Sequence, residues 1–428
     1  MKEIYYNSVR YRSAKGIDGI NSKSFENNID ENINIIYRKS HNGTYSLSKY
    51  KEKLFSKGPE KYPRVISIPT IRDKLALKAL FEVLSSVYTD TSQSLHQIIA
   101  KISSIIKKGD FNSVIRLDVE NFYPSIQHDI LFKEIQKNIK KKEILHLLKS
   151  AVTQITVETS TNDSKTKSEK GVPQGLSISN ILANIYLIPI DKKYANKENY
   201  EYFRFVDDIL ILCNREDSEK IQNDIREDFL NIGLSLHSGD EAEKTKVCEI
   251  SEGFSYLGYK FKPDLISVRK KSVEKIRNSL IGTFTAFKYS KKPNLKLLEW
   301  TLNIRITGCI YNNSKYGWVF FFSQINDYKL LHSLDHFVRK QCERFNLDHN
   351  SLKLKKFNKT YYEITKNLSS TKYIPNFDLY TTKQKRRILK EIFGIKTKLM
   401  RKHQIEYQFN RRIYKNIRDL EKDLVRKS

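Results

Sequence analysis

Residues 117–126 read LDVENFYPSI, and they directly follow the short run SVIR at positions 113–116. A short segment rich in β-branched side chains is typical of a β-strand. We therefore predict a strand over residues 113–119 that ends close to the carboxylate of Asp118. The acidic group at its end makes this strand a candidate for part of a catalytic or metal-binding site.

A second acidic group lies between two further strand-like runs. Residues 202–206 read YFRFV and residues 209–212 read ILIL, with Asp207 and Asp208 between them. Two short apolar runs separated by two residues predict a β-hairpin with the aspartates at its turn. An Asp-Asp pair alone is a common turn signal, so its surroundings decide its meaning.

Three carboxylates converge if these strands are neighbours in one sheet. Such a cluster is electrostatically unfavourable unless divalent cations neutralise it. Nucleotide polymerases use two Mg²⁺ ions about 3.5–4 Å apart in such a setting. One ion lowers the pKa of a primer 3′-hydroxyl, and the other holds the triphosphate and stabilises the leaving pyrophosphate. The pattern therefore predicts a two-magnesium site at Asp118, Asp207 and Asp208.

The chain is long and strongly basic. Its 428 residues contain 77 Lys and Arg against 49 Asp and Glu, a formal net charge of +28. This length is sufficient for two or three packed units. The net positive charge favours a polyanionic partner such as nucleic acid. A solvated lysine-rich surface is the competing interpretation. The hydrophobic content of 39% excludes a disordered or collagen-like chain.

Cysteine spacing and hydropathy disfavour other classes of protein. The four cysteines lie far apart without a Cys-x-x-Cys spacing, so we expect core-filling thiols and neither zinc sites nor disulfides. The longest apolar runs are far shorter than a bilayer span. The first residues lack the apolar stretch of a secretory signal. We therefore expect no membrane partner and a cytoplasmic location.

Helical periodicity is clearest at residues 93–108, where isoleucines recur with helical spacing before Gly109. From about residue 270 onward helical periodicity dominates and strand signals fade, so we place a domain boundary near residues 265–270. The other predicted helices cover residues 26–40, 128–151, 175–188 and 217–232.

The order of several motifs resembles that of reverse transcriptases, most closely the bacterial enzymes of group II introns, retrons and phage-defence systems. A single motif would be ambiguous, but the series runs in the right order from roughly residue 15 to residue 262. The motifs are KGIDG at 15–19, RVISIP at 64–69 with RDK at 72–74, LDVENFYPSI at 117–126, GVPQG at 171–175 with SNILANIY at 179–186, FVDD at 205–208, GLSL at 233–236 with EKTK at 243–246, and FSYLGY at 254–259.

This resemblance implies an α+β fold of the right-hand polymerase type. Its parts are fingers, a palm with an antiparallel sheet, a helical thumb and, in this chain, a basic α-helical carboxy-terminal extension. We expect the amino-terminal extension and fingers at residues 1–110, the palm at 111–265, the thumb at 266–375 and the extension at 376–428.

The resemblance also assigns the catalytic positions to the three aspartates, and it adds the backbone of Val119 to them as a metal ligand. Phe205 and Val206 stand where the family usually has Tyr-Ala. This departure leaves both aspartates of the motif in place. It should preserve metal binding while altering the neighbouring contacts.

Further residues are implied to bind the incoming nucleotide. Guanidinium groups match phosphate oxygens, which favours arginine for the triphosphate. Tyr123 holds the family's aromatic position under the sugar, where its bulk would exclude a ribose 2′-hydroxyl; a core aromatic is the competing interpretation. Lys244, or alternatively Lys246, is a candidate general acid for the pyrophosphate. The expected nucleotide-binding set is Arg64, Arg72, Lys74, Tyr123, Gln174 and Lys244.

Two more surfaces are expected to touch nucleic acid. Glycine at 175 would let the backbone approach the nascent base pair, and Tyr256, Leu257 and Gly258 would form the primer grip. The last 46 residues contain 16 Lys and Arg against 5 Asp and Glu and keep helical spacing of apolar residues, so they predict a basic helix pair. Its expected RNA-binding residues are Lys385, Arg386, Arg387, Arg411 and Arg412.

These features predict an RNA-directed DNA polymerase that makes complementary DNA from a partner noncoding RNA. Deoxynucleoside triphosphates would be its substrates and DNA its product. We recognise no zinc-finger cysteines or nuclease motif after residue 370, which favours a standalone enzyme of phage defence. Two alternatives stay open, namely a maturase-like RNA-binding protein of intron splicing and a template-independent nucleotidyl transferase on the same fold. The intact aspartates argue against the first alternative.

Overall fold

The computed structural model describes residues 1–11, 14–56, 62–89, 94–158, 168–237, 246–348 and 351–424. The chain divides into two compact units. The first unit comprises Met1–Leu95 and Phe111–Glu249, and the second comprises His96–Asp110 and Ile250–Ser428. The two units therefore divide between Glu249 and Ile250, earlier than the boundary expected near residues 265–270, and the helix before Gly109 belongs to the second unit.

The helices and strands follow one another along the chain as mixed α and β structure. The helices are α1 (Lys2–Ile4), α2 (Ser22–Asn27), α3 (Ile29–His41), α4 (Ile71–Val87), α5 (Leu95–Lys108), α6 (Phe122–Ser125), α7 (His128–Asn138), α8 (Lys142–Thr153), α9 (Ser179–Tyr186), α10 (Ile188–Tyr194), α11 (Ser218–Asn231), α12 (Lys270–Lys288), α13 (Leu295–Thr307), α14 (Trp318–Phe321), α15 (Tyr328–Arg344), α16 (Phe357–Lys366), α17 (Thr382–Glu391) and α18 (Lys402–Asp423). The strands are β1 (Tyr50–Phe55), β2 (Arg64–Ile68), β3 (Ser113–Asp118), β4 (Thr156–Val157), β5 (Tyr200–Phe205), β6 (Asp208–Cys213), β7 (Lys246–Glu249), β8 (Phe254–Tyr256), β9 (Tyr259–Lys262), β10 (Leu265–Val268), β11 (Cys309–Tyr311) and β12 (Ser314–Tyr316).

A four-stranded antiparallel sheet forms the centre of the first unit. Its strand order is β5-β6-β3-β7, so the predicted strand at 113–119 and the predicted hairpin are neighbours. All six residues of β6 are buried. This explains why the strand is continuously apolar after Asp208, since a central strand covered on both faces has no solvent side.

A smaller sheet in the same unit has the order β2-β1-β4. Strand β2 runs antiparallel to β1, whereas the short β4 runs parallel to it. Asp73, at the first turn of α4, is buried and accepts hydrogen bonds from the Tyr45 and Thr70 hydroxyls at 2.8 Å and from the Ser48 amide at 3.1 Å. The acidic residue of the RDK motif thus fastens α4 to the segment before β1.

Three predicted helices are divided in the structure. The segment at 26–40 is interrupted at Asn28, and that at 128–151 is interrupted between Asn138 and Lys142. The segment at 175–188 becomes helical only at Ser179, and Pro189 lies in the first turn of α10. Proline fits there because the first turn of a helix needs no backbone donor. Pro189 therefore begins a helix, whereas the sequence analysis treated it as a boundary.

The second unit is mainly helical after a small sheet of order β10-β9-β8. Helix α12 packs on α13 and α15, and α17 packs on α18. Helix α5 ends at Gly109, whose φ is +75°, as the sequence predicted. All four cysteines are buried. Among the helices in the described ranges, none combines the length and the apolar character needed to cross a bilayer.

The KGIDG segment packs tightly against the residue that caps α4. An ideal Cβ atom on Gly16 would lie 2.6 Å from the Cα atom of Thr70 and 2.8 Å from its backbone nitrogen. Both neighbours are backbone atoms, which cannot move aside as a side chain can. Glycine at position 16 is therefore required by this close approach.

Replacing Gly16 by alanine should lower the free energy of unfolding by about 1–3 kcal/mol, because the added methyl group overpacks the contact. Gly282→Ala in α12 is the control, since its Cβ would meet nothing within 4 Å. Removing a helical glycine should raise stability by about 0.5–1 kcal/mol. Urea unfolding followed by far-ultraviolet circular dichroism measures both, and equal shifts in the same direction would contradict the explanation.

Candidate active site

The register between β3 and β6 brings the aspartates to one end of the central sheet. Asp118 and Asp208 are directly opposite each other in the antiparallel ladder. Opposite residues have Cα atoms about 4.5–5.5 Å apart and side chains on the same face. Asp207 lies in the adjoining turn, and its carbonyl oxygen accepts a hydrogen bond from the Val119 amide at 3.3 Å. Backbone hydrogen bonding thus gathers all three residues.

The three carboxylates differ in burial and in charge. Asp118 is 7% exposed and Asp208 is 4% exposed, whereas Asp207 is only partly buried. Asp208 forms an ion pair with the guanidinium of Arg116 at 2.9 Å. A buried carboxylate is tolerated when a cation neutralises it, so Asp208 carries its own counter-charge. Asp207 is the most accessible member of the three.

Arg116 was missed by the sequence analysis, although a signal for it was present. It lies two residues before Asp118 on β3, and side chains two residues apart point to the same face of a strand. Its partner Asp208 is one diagonal position away across the ladder. A basic residue at that spacing from a predicted metal ligand is a candidate counter-ion.

The loop after α11 braces the segment that follows Asp118. The His237 amide donates to the Asp118 carbonyl oxygen at 3.0 Å, and the Glu120 amide donates to the Ser235 carbonyl oxygen at 2.8 Å. An isolated bridge pairs Val119 with Leu236. The GLSL motif therefore acts structurally, by fixing the backbone on which Val119 and Asp118 lie.

Whether magnesium fits can be judged from the donors. Within the described ranges, no three His, Cys, Asp or Glu side chains form a group that is set to hold an ion. Carboxylate and carbonyl oxygens are nevertheless the donors that Mg²⁺ prefers, and Mg²⁺ is usually bound by one or two carboxylates together with substrate phosphates. The carboxylates and the backbone at Val119 fit an ion whose coordination substrate completes.

Tyr123 lies beside the aspartates and inside the core. Its ring is 5% exposed, and its hydroxyl donates to Oδ1 of Asn180 at 2.5 Å. Burial, followed by the negative charge of Asp207, raises the pKa of Tyr123 to about 12, while the charges of Arg64 and Arg204 act in the opposite direction. The predicted nucleotide-binding Arg64 thus lies in the same surroundings as Tyr123 and Asp207.

The other two basic residues of the fingers motifs are engaged within the protein. Arg72 is exposed and its Nε donates to Oδ1 of Asn32 at 2.8 Å. The Lys74 ammonium donates to the Ala14 carbonyl oxygen, and burial lowers the pKa of Lys74 to about 8. In this structure Lys74 therefore tethers the KGIDG region to α4. Its role in nucleotide binding stays a prediction.

Gln174 carries a buried side-chain oxygen that is unpaired within the part of the chain that the structure describes. Its backbone carbonyl accepts a hydrogen bond from the Ser67 amide at 2.7 Å, but its Oε1 has no hydrogen-bond partner among these residues. Leaving a buried acceptor unpaired costs about 1–3 kcal/mol. Such an atom indicates a place where a ligand supplies the missing donor.

Gly175 is required for a reason that the sequence did not show. Its φ is +105°, and an added Cβ would lie 2.7 Å from Cγ2 of Ile66 and 3.0 Å from the Ser67 carbonyl oxygen. Strand β2 passes at this point. The glycine therefore permits a close approach to β2, and the expected approach to a nascent base pair stays a prediction.

The remaining predicted residues of the motifs lie elsewhere. Lys244 is outside the described residues. Tyr256, Leu257 and Gly258 belong to the second unit, where Leu257 and Gly258 form the two-residue loop between β8 and β9. Both have positive φ, 48° and 87°, as a type I′ hairpin turn requires. Tyr256 is buried within that hairpin.

The sequence of the central region matches a known family. Residues 51–261 match the family described as reverse transcriptase (RNA-dependent DNA polymerase). The chain carries a reverse transcriptase domain. This domain includes β1 to β7 and the three aspartates, and it extends through β8 into β9.

Proteins similar to this chain include two encoded by introns. The putative COX1/OXI3 intron 2 protein of Saccharomyces cerevisiae is 23% identical over 334 residues, or 61% of this chain and 38% of that protein. The group II intron-encoded protein LtrA of Lactococcus lactis is 27% identical over 263 residues, or 57% and 41%. The chain thus spans about two fifths of these relatives. The structure of apo telomerase from Candida tropicalis aligns with a TM-score of 0.44 at 14% identity, covering 75% of this chain and 64% of that chain.

The basic extension lies outside the reverse transcriptase domain, and its five predicted RNA-binding residues are of two kinds. Arg386 donates to the Thr397 and Met400 carbonyl oxygens at 2.7 and 3.1 Å, so it closes the loop after α17. Lys385 lies over the ring of Phe409, and Arg412 lies over the ring of Phe393. The two members that are exposed are Arg387 and Arg411.

Proposed function

We propose that this protein is an RNA-directed DNA polymerase that copies a partner noncoding RNA into complementary DNA with the help of two magnesium ions. The observation that carries the proposal is the register of the central sheet. It sets Asp118 opposite Asp208 and places Asp207 in the adjoining turn. This arrangement lies inside the reverse transcriptase domain and presents oxygen donors at one end of the central sheet.

The aspartates and the Val119 carbonyl oxygen would hold the metal ions. When bound, the ions supply Lewis-acid chemistry, which makes the primer 3′-hydroxyl acidic and stabilises charge on the leaving pyrophosphate. The protein's own part is to fix the donors before substrate arrives. Arg116 contributes by neutralising Asp208, which limits the repulsion that the assembled carboxylates would otherwise experience.

The nucleotide would be bound by residues around Tyr123. Arg64 would pair with the triphosphate, with Arg72 and Lys74 as further candidates. The unpaired Oε1 of Gln174 would accept a hydrogen bond from the nucleotide or template. The ring of Tyr123 would limit the space at the sugar and so select deoxynucleotides. From the sequence alone, Lys244 would protonate the pyrophosphate, and the loop at Leu257 and Gly258 would support the primer.

Substituting Asp118→Asn or Asp207→Asn should reduce DNA synthesis by at least about 10²-fold, because metal-assisted charge stabilisation is worth several kcal/mol. The assay is extension of a DNA primer on an RNA template at a fixed Mg²⁺ concentration. Asp110→Asn is the matched control, since Asp110 is exposed and lies outside the site. It should extend primers like the wild type.

The outcomes separate this function from the alternatives. Loss of both templated and untemplated synthesis in the aspartate variants supports the polymerase. Synthesis by the wild type that survives ribonuclease treatment of its RNA would contradict RNA-templated copying and support a template-independent transferase. Splicing that is promoted equally well by the wild type and by a variant with Asp118 and Asp207 replaced would contradict the polymerase role and support the maturase.

We also propose that the exposed guanidinium groups of the extension bind the phosphate backbone of the partner RNA. Arg387→Ala and Arg411→Ala together should weaken RNA binding and reduce the slope of log affinity against log salt by about 1–2, since each phosphate contact releases about one counterion. Binding titrations at several salt concentrations measure this slope. Arg386→Ala is the contrasting variant, because it should lower thermal stability more than the salt slope; an unchanged slope in the double variant would contradict the proposal.

The proposed biological setting is defence against phage, and its support is the similarity of the motif series to that of bacterial defence enzymes. A host carrying the gene and its flanking noncoding region should resist phage that infect a host lacking both. Introducing Asp207→Asn should abolish resistance, because synthesis of complementary DNA is lost. Plaque counts measure the effect. Equal plaque numbers with and without the intact gene would exclude this setting.

A further inference from the structure

A buried arginine is bonded to the turn that carries Asp207. Arg204 lies on β5, and its side chain is 5% exposed. Its Nη1 donates to the carbonyl oxygen of Val206 at 3.0 Å. That oxygen belongs to the peptide group that joins Val206 to Asp207. The guanidinium therefore holds the backbone immediately before the carboxylate.

The same guanidinium is fixed to two helices. Its Nε and Nη2 donate to the two carboxylate oxygens of Asp191 on α10 at 2.8 and 2.5 Å. Its Nη1 also donates to Oδ1 of Asn184 on α9 at 3.0 Å, and the Tyr202 hydroxyl donates to Asp191 at 3.1 Å. A two-pronged pairing of this kind fixes orientation as well as distance. The guanidinium thereby fixes the position of the turn relative to α9 and α10.

The turn needs such support because of its conformation. Phe205 and Asp208 are paired in the ladder, so Val206 and Asp207 form a two-residue hairpin loop. Val206 has φ of 59°, a region that favours glycine and is unusual for a β-branched residue. Strained conformations persist where the surroundings over-determine them, and they cluster at functional sites. Arg204 supplies that constraint here.

We propose that Arg204, held by Asp191 and Asn184, is a positioning residue that sets the orientation of the Asp207 carboxylate for divalent metal binding. This inference rests on the proposed polymerase function, and it adds Arg204 and Asp191, which neither the motif series nor the metal ligands include. Arg204 need not touch substrate. It acts through the Val206 peptide group.

The test compares metal binding in folded variants. Arg204→Lys keeps the charge but removes the planar fork, and Asp191→Asn weakens the pairing while keeping the shape. Each should weaken Mn²⁺ binding about 10–100-fold, the usual effect of losing a residue that orients a metal ligand. Mn²⁺ titration followed by electron paramagnetic resonance measures this without any reaction. Primer extension should be recovered in part by raising the Mg²⁺ concentration.

A matched control lies on α11 and is bonded to α10. Asp228 accepts hydrogen bonds from the Lys193 ammonium at 2.7 Å and from the Tyr194 hydroxyl at 2.6 Å, so it pairs with α10 much as Arg204 does. None of these bonds involves the turn. Asp228→Asn should therefore bind Mn²⁺ like the wild type, even if its melting temperature falls.

Contrary results are easily recognised. Folded Arg204→Lys and Asp191→Asn that bind Mn²⁺ like the wild type would overturn the inference, as would an equal loss of affinity in Asp228→Asn. If Arg204→Lys fails to fold, Asp191→Asn and Asn184→Ala decide by the same measurement. A wild-type protein that binds Mn²⁺ but extends no primer would refute the proposed function. The Mn²⁺ affinities of the variants would still test the positioning role of Arg204.

Discussion

The antiparallel pairing of β3 with β6 is the interaction on which the site depends. Six successive residue pairs fix the register, and the last of them sets Asp118 opposite Asp208. A shift by one residue would turn every side chain of one strand to the other face. The register is held by the packing of apolar side chains on both faces of the sheet, among them Ile115 and Ile209, which are fully buried. Core packing therefore decides where the carboxylates lie, because the apolar part of the ladder fixes the register of its polar end.

Placing acidic groups together in this way requires compensation. Like charges at opposite positions of a ladder destabilise it, and buried carboxylates are costly without partners. Two guanidinium groups on strands of the central sheet provide this compensation. Arg116 pairs with Asp208 across the sheet, and Arg204 supports the turn that carries Asp207. The first neutralises charge and the second constrains backbone, so they act on different parts of the same problem.

The elements of the first unit that carry the KGIDG, RVISIP and GVPQG motifs are assembled by close backbone contacts more than by charge. Gly16 approaches Thr70, and Gly175 approaches Ile66 and Ser67. These contacts join the KGIDG segment to the start of α4 and join β2 to the GVPQG loop, and the segments of each pair are distant in sequence. The buried Asp73 adds a hydrogen-bonded centre for the start of α4. Several motif residues thus serve the architecture of the domain.

The sequence by itself determined the existence of the strand before Asp118, the hairpin around Asp207 and the helix ending at Gly109, because periodicity and short-range turn chemistry are local properties. The right-hand polymerase fold was implied by the resemblance of the motif series to reverse transcriptases. The motif order also identified the reverse transcriptase domain. Tertiary structure alone decided which charged residues are paired. Arg116 with Asp208, Arg204 with Asp191, and Lys74 with Ala14 are contacts between segments up to 92 residues apart. Strand spacing makes Arg116 a candidate counter-ion, but only the fold shows that it is buried and bonded. The same holds for Gly175, since the strand that passes over it is 108 residues earlier in the chain.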